Sequence, residues 1–242
     1  MKARIYERLS AIYDLDWGDW SHQYVAFVRH ALQQEKMDKA RIIDLACGTG
    51  NLAIELARIG YSVLGADISP EMIEVAKCKA DGADSPRFKV ANMASLHIDG
   101  EFDCATCTFD SLNYLLSLEQ VRAMFGGVGR ILAPRGLFIF DCVTEPLFLH
   151  HHKDSFERKL GGISFLQKLR YDRARRIATT VFEFSDGTKE THLQRPYDLG
   201  EIGALLDESG FEIATAVSGF CNQPYTRNSE RLICIARKRE GK

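Results

Sequence analysis

The stretch from Arg41 to Ala57, R-I-I-D-L-A-C-G-T-G-N-L-A-I-E-L-A, limits what this chain can fold into more than any other. A short apolar run (Ile42, Ile43, Leu45) reads as a buried strand. The pattern breaks at Gly48 and Gly50 and resumes at helical spacing with Leu52, Leu56 and Ile59, flanked by Ala53 and Ala57. Strand, glycine turn and helix together bring bare backbone close to a ligand at a helix N-terminus. A side chain at either glycine would block the turn or fill the ligand's place. Gly48-Thr49-Gly50-Asn51-Leu52-Ala53 formally fits the dinucleotide pattern G-x-G-x-x-G/A. Asp44 separates the candidates. A carboxylate at the strand end repels a pyrophosphate but holds a cation, and S-adenosylmethionine (SAM) carries a sulfonium and an ammonium. An ordinary turn without a ligand is the weaker reading.

At 242 residues the chain has length for one α/β domain with an insertion. Its 31 Lys plus Arg nearly balance 33 Asp plus Glu, which argues against nucleic acid or a membrane as a bulk electrostatic partner. The seven cysteines are odd in number, and Cys104, Cys107, Cys142 and Cys234 sit within apolar runs. They read as reduced core thiols of a cytoplasmic protein. Cys104 and Cys107 lie three apart on a strand and so face opposite sides, which does not suit a metal. Consecutive His150, His151 and His152 point in different directions, so no metal is expected there either. There is no signal-peptide pattern and no apolar run long enough to span a bilayer.

The segment D-L-A-C-G-T-G (Asp44 to Gly50) resembles the first motif of the class I SAM-dependent methyltransferases, with Ala46 in place of the first glycine. The run Leu132 to Asp141, L-x-P-x-G-x-F-x-F-D, resembles the same family. The resemblance implies SAM as cofactor, S-adenosylhomocysteine as product, and an α/β fold. That fold is a seven-stranded, mostly parallel, doubly wound sheet of order 3-2-1-4-5-7-6. The expected strands are Arg41–Leu45, Tyr61–Asp67, Arg87–Val90, Phe102–Cys107, Leu137–Asp141, Phe211–Val217 and Arg231–Ala236.

Asp67 ends the second strand 19 residues after Gly48, where each carboxylate oxygen can accept from one ribose hydroxyl. Ser69-Pro70-Glu71 then opens a helix whose first turn places Met72, beside Ile68, against an adenine. Asn92, where resembling enzymes carry an acid, keeps an amide oxygen for the adenine amino group, with Met93 following. Ala46, Cys47 and Asn51 complete the expected turn contacts. Phe109, Asp110, Asn113 and Tyr114 follow the fourth strand, where a loop borders cofactor and substrate. The proline motif of enzymes that modify nucleobase amines is absent from this loop. Ser117-x-x-Gln120 and Asp198-x-x-Glu201 read as capping boxes. Gly126, Gly127 and Gly129 in the helix between imply close packing on the sheet.

Residues 1–35 hold two helical stretches, the second capped by Ser21 and carrying Tyr24, Phe27, Val28 and Leu32 on one stripe. Tyr13 to Trp20 is too irregular for a helix face. It is either a packing arm or, as in resembling families, a lid with Tyr13 near the methionine end of the cofactor and Trp20 at the entrance. From about 150 to 197 the alternation breaks into three antiparallel strands, Ile163–Tyr171, Arg176–Phe184 and Thr188–Arg195, with Ser185-Asp186-Gly187 as a hairpin signal. The arginines around Arg173 read as a solvated hairpin tip. Such an insert resembles that of amino-sugar and glycine N-methyltransferases, and H-L-Q-R-P-Y (His192 to Tyr197) resembles its end in the amino-sugar enzymes. The expected reaction is direct displacement onto a small polar metabolite, above all an amine. His192 is the candidate base, and Asn113, Tyr171, Arg195 and Tyr197 are the substrate contacts. An RNA or protein methyltransferase and a non-catalytic SAM-binding protein remain the alternatives, and a homodimer is left open.

Overall fold

The structure, a computed structural model, describes residues 4–18, 21–80, 84–151, 153–221 and 223–240. A short helix α1 (Asp14–Trp17) precedes α2 (Ser21–Gln34). Strands and helices then alternate: β1 (Arg41–Leu45), α3 (Asn51–Arg58), β2 (Ser62–Asp67), α4 (Pro70–Ala80) and β3 (Arg87–Val90). β4 (Phe102–Cys107), α5 (Leu118–Ile131) and β5 (Leu132–Val143) complete this half. After α6 (Glu145–His151) come four strands with no helix between them: β6 (Ser155–Leu160), β7 (Ile163–Asp172), β8 (Ile177–Phe184) and β9 (Lys189–Gln194). The chain closes with α7 (Leu199–Glu208), β10 (Phe211–Ser218), β11 (Gln223–Pro224) and β12 (Arg231–Lys238).

The main sheet runs β11-β10-β12-β5-β4-β1-β2-β3. Its first five strands pair in parallel, and β12 and β10 add antiparallel, giving the expected order 3-2-1-4-5-7-6 with one more strand at the edge. That eighth strand is the two-residue β11. Alternation in β5 divides the core between the two faces. Phe138 and Phe140 pack with Phe125 of α5 and with Phe211, while Leu137 and Ile139 pack with Val28 and Leu32 of α2 and Leu56 of α3. Cys104 and Cys107 are buried on opposite faces by the same period.

Several local expectations need correction. Strand β5 starts at Leu132 rather than Leu137, because Leu132 pairs with Phe102 before a register shift loops out the A-P-R-G turn. Ser21 is the first residue of α2, and its hydroxyl donates to the Gly18 carbonyl (2.9 Å). Asp14–Trp17 forms a helical turn where irregular chain was expected. Gly129 faces Phe211 of β10 and so packs on the main sheet as expected, whereas Gly127 faces Leu96 and Gly126 only the Arg130 side chain. Both capping boxes form.

The inserted sheet has four strands, β6-β7-β8-β9, where three were expected. The additional β6, S-F-E-R-K-L, is a largely exposed edge strand without apolar alternation. Its hairpin partner begins after Gly161-Gly162, both at positive φ, a turn signal available in the sequence. Of the arginines at the other hairpin, Arg176 is not a solvated tip, since it forms a two-pronged pair with Glu201.

Asn113 ties this insert to the main sheet. Its buried amide donates to the carbonyls of Val143 and Arg195 (both 2.8 Å) and accepts from the Val143 N–H (2.9 Å). Its backbone carbonyl accepts from the Arg195 N–H (2.8 Å). Asn113→Ala leaves buried backbone groups unpaired. It should therefore cost about 2–4 kcal/mol and lower Tm by roughly 5–10 °C. Denaturant and thermal unfolding test this, and a loss below about 1 kcal/mol would contradict the role.

Candidate active site

The turn after β1 is built from three left-handed residues, Ala46, Gly48 and Gly50. A Cβ on Gly50 would lie 2.7 Å from the Phe88 ring and 3.0 Å from Ala76, so this glycine serves packing. A Cβ on Gly48 would meet nothing within 4 Å, so this glycine faces open space. Ala46 carries the left-handed conformation at a cost of roughly 1–2 kcal/mol.

Two buried acids flank the turn. Asp67 accepts from the backbone N–H of Gly48 (2.9 Å) and of Ser69 (2.8 Å). Burial raises its pKa while those donors oppose the rise. Asp44 accepts from the Thr106 hydroxyl (2.7 Å). Burial pushes its carboxyl up to about 7, with the Asp67 charge adding and the Thr106 hydroxyl opposing.

These groups line a cavity of about 750 Å³. Ala46, Cys47, Gly48 and Asn51 border it beside Asp44 and Asp67, and Ile68, Met72, Asn92 and Met93 lie on its wall. Gly50 does not line it. The Asn92 amide oxygen already caps the following turn by accepting from the Ala94 N–H (2.9 Å). Asn51 also donates to Asp14 of α1 (2.9 Å), which Thr49 and Lys79 contact as well.

A second cavity, of about 780 Å³, adjoins the first. Tyr6, Tyr13, Trp17, Tyr24, Phe109 and Tyr114 line both, forming an aromatic partition. Burial drives the pKa of all four tyrosines upward, so they stand there as neutral phenols. Phe109 and Asp110 are both left-handed, an unfavourable conformation held by several bonds. Asp110 receives Gln194 (2.7 Å) and Arg231 (3.0 Å), and its N–H donates to Asp141 (3.1 Å). Arg231 also pairs with fully buried Asp141, whose second oxygen has no hydrogen-bond partner among the described residues. One guanidinium thus faces two carboxylates.

On the opposite wall, buried His192 shares a hydrogen bond at Nδ1 with the Tyr114 hydroxyl (2.9 Å) and one at Nε2 with Glu190 (3.3 Å). Tyr114 in turn bonds the Tyr6 hydroxyl (2.7 Å). The inner face of the insert also presents Gln167, whose buried Oε1 has no hydrogen-bond partner among the described residues.

Asp110 thus borders the second cavity and not the first. Four expected substrate residues line neither cavity. Asn113 is the tie described above, and Tyr197 is fully buried with its hydroxyl on the Leu115 carbonyl. Arg195 pairs with Glu201 (2.6 Å), and Tyr171 stacks on Phe148 and donates to Glu145 (2.8 Å). Trp20 lies outside the described residues, while Trp17 lines both cavities. Tyr6, Trp17, Arg231 and Glu190 also belong to these walls and their hydrogen bonds, though no local motif marks the first three. For Glu190 a signal existed, since Glu190-x-His192 places both side chains on one strand face. His150 pairs with Glu230 and His151 with Asp154, both 2.6 Å, and His152 lies outside the described residues.

A family pattern described as a methyltransferase domain matches residues 42–136, from β1 into β5. Methyltransferase YqeM of Bacillus subtilis strain 168, itself an assigned rather than a demonstrated enzyme, is 31% identical over 97% of each chain. A SAM-dependent methyltransferase structure from Clostridium acetobutylicum ATCC 824 superposes with a TM-score of 0.81, at 24% identity over 97% of this chain and 96% of that one. The sugar N-methyltransferase KedS8 from Streptoalloteichus sp. ATCC 53650 shares the fold at a TM-score of 0.74, with 19% identity over 95% and 93%.

The chain belongs to the SAM-dependent methyltransferases.

The first cavity fits that cofactor. The open face at Gly48 gives room that a side chain would fill. Asp67 has two acceptor sites left for a ribose diol after its two backbone bonds. Asp44, on the wall of the same cavity, can offer negative charge to a cationic amino-acid end when it is ionised. Among the described residues no helix is long and apolar enough to cross a membrane, and no cluster of metal-ligating side chains occurs.

Asp44 gives this methyltransferase a pH signature. Its pKa is higher folded than unfolded, so between about pH 4 and 7 the folded chain holds a proton that the unfolded chain has released. This group alone should make stability without ligand fall as pH rises through that window, by at most about 1.4 kcal/mol per unit. A bound cation favours the ionised carboxylate, so affinity for S-adenosylhomocysteine should rise from pH 6 to 8. Asp44→Asn should flatten both profiles. Calorimetry and denaturant titrations measure them, and unchanged slopes in the variant would remove Asp44 from this role.

Proposed function

We propose that this enzyme methylates a small polar metabolite, an amine, in the second cavity. The hydrogen-bonded run from Tyr6 and Tyr114 to His192 and Glu190 carries the reading, because it leads from the boundary of the two cavities to a buried carboxylate. SAM supplies an electrophilic methyl group and departs as a neutral thioether when the acceptor's lone pair forms the new bond and the carbon–sulfur bond breaks. The protein's task is to orient the acceptor, exclude water and take the proton that the acceptor must lose.

That proton passes to Tyr114 as the hydroxyl gives its own to His192 Nδ1. Glu190 beside Nε2 then faces an imidazolium with its negative charge. The excess of carboxylate around Arg231, together with the aromatic partition, favours a cationic acceptor before it is deprotonated. KedS8, a sugar N-methyltransferase, has this fold, which supports an amine acceptor without identifying one. A volume of about 780 Å³ is metabolite-sized. The six described free thiols suit a reducing, cytoplasmic compartment.

Transfer of labelled methyl from SAM to pooled metabolic amines, with tRNA and protein as rival acceptors, tests the assignment. Label on tRNA or protein alone would overturn it. With an acceptor identified, His192→Gln and Tyr114→Phe should each lower kcat by about 100-fold. In His192→Gln, S-adenosylhomocysteine affinity should stay as in the wild type. Full kcat in both variants would remove the proton path.

A further inference from the structure

Glu190 is fully buried, yet it makes no ion pair with Lys or Arg among the described residues. Its charge is met by hydrogen-bond donors instead. Oε1 accepts from the backbone N–H of Arg8 and of Leu9 (3.1 Å for the latter), and Oε2 accepts from the N–H of Tyr6 (3.1 Å). His192 Nε2 lies 3.3 Å from the same Oε2. The contacts close into a ring. Glu190 holds the Tyr6 backbone, the Tyr6 hydroxyl meets Tyr114, Tyr114 meets His192 Nδ1, and His192 Nε2 returns to Glu190.

We infer that Glu190 is a positioning residue that fixes which nitrogen of His192 carries the proton, and that docking of residues 6–9 fixes Glu190. A carboxylate only accepts, so the nitrogen facing it must be the donor. That places the proton on Nε2 and leaves the Nδ1 lone pair for the Tyr114 hydroxyl. The three backbone donors anchor both carboxylate oxygens in the orientation this requires. The N-terminal segment therefore completes the base while carrying Tyr6 into the wall between the cavities. This inference rests on His192 as the proton acceptor, but the state of the ring can be read without activity.

Glu190→Gln keeps the shape and changes the bonding. Two N–H groups converge on the Oε1 position, so the amide oxygen takes that place and the NH₂ group takes the other. A donor then faces His192 Nε2, which must become the acceptor, and the proton moves to Nδ1. The Tyr6 N–H loses its partner.

Nitrogen-15 NMR of the full-length chain, labelled at its seven histidines and recorded at pH 8.5, tests this. The His192 signals are identified by their loss in His192→Gln. The expected wild-type state is a protonated Nε2 and an unprotonated Nδ1, reversed in Glu190→Gln. Hydrogen exchange of the amides of residues 6–9 should also speed up at least tenfold in that variant. Tyr6→Phe, which keeps the Tyr6 N–H, should leave the proton on Nε2. A wild-type proton on Nδ1 overturns the inference without recourse to any variant. So does faster exchange in Glu190→Gln with the proton still on Nε2, which would mark a purely structural clamp. Full methyl transfer by His192→Gln would instead remove the base while leaving the effect of Glu190 on the ring measurable.

Discussion

The cofactor cavity depends on one carboxylate held from two sides. Asp67 ends β2, and parallel pairing of β2 with β1 sets it beside the glycine turn. Its oxygens take the N–H of Gly48 from that turn and the N–H of Ser69 from the entry to α4. Two helix entries are thereby fixed by a single side chain, and each oxygen keeps acceptor capacity facing the cavity. Phe88 of β3 supports the arrangement from below. It occupies the space that Gly50 and Gly65 leave, since a Cβ on either would come within 2.7 Å of its ring.

The second cavity follows a different logic. Its aromatic partition comes from α2, from the loop after β4 and from the segment before α2, so no single stretch of sequence builds it. In this cavity wall Tyr6, Phe109 and Asp110 are left-handed, and the bonds from Arg231, Gln194 and Asp141 that hold Asp110 come from three further strands or their ends. The boundary between the two cavities is thus a tertiary product, costly to hold.

That difference explains what was legible in the sequence. Strand, turn, helix and the acids Asp44 and Asp67 announce themselves within a few residues, as do the capping boxes at Ser117 and Asp198. Which end of the inserted sheet meets the cavity is not local information. Tyr171 and Gln194 occupy one cross-strand row through Ala178, yet Gln194 reaches Asp110 while Tyr171 lies over α6. Arg195 and Tyr197 come after β9 has ended, and the chain there turns to meet α7 and Leu115. Tyr24 read as one more apolar residue on a helix stripe; only the packed structure shows its hydroxyl 3.3 Å from Arg231.

The central claim is that the methyl group is delivered where the two cavities meet, at the aromatic partition. A crystal structure with a SAM analogue bearing an amino group in place of the transferable methyl tests it most directly. The account predicts that this amino group lies at the aromatic partition and points into the cavity lined by Asp110 and His192. An analogue bound on Asp67 with its amino group directed to solvent, away from Tyr114, would contradict it.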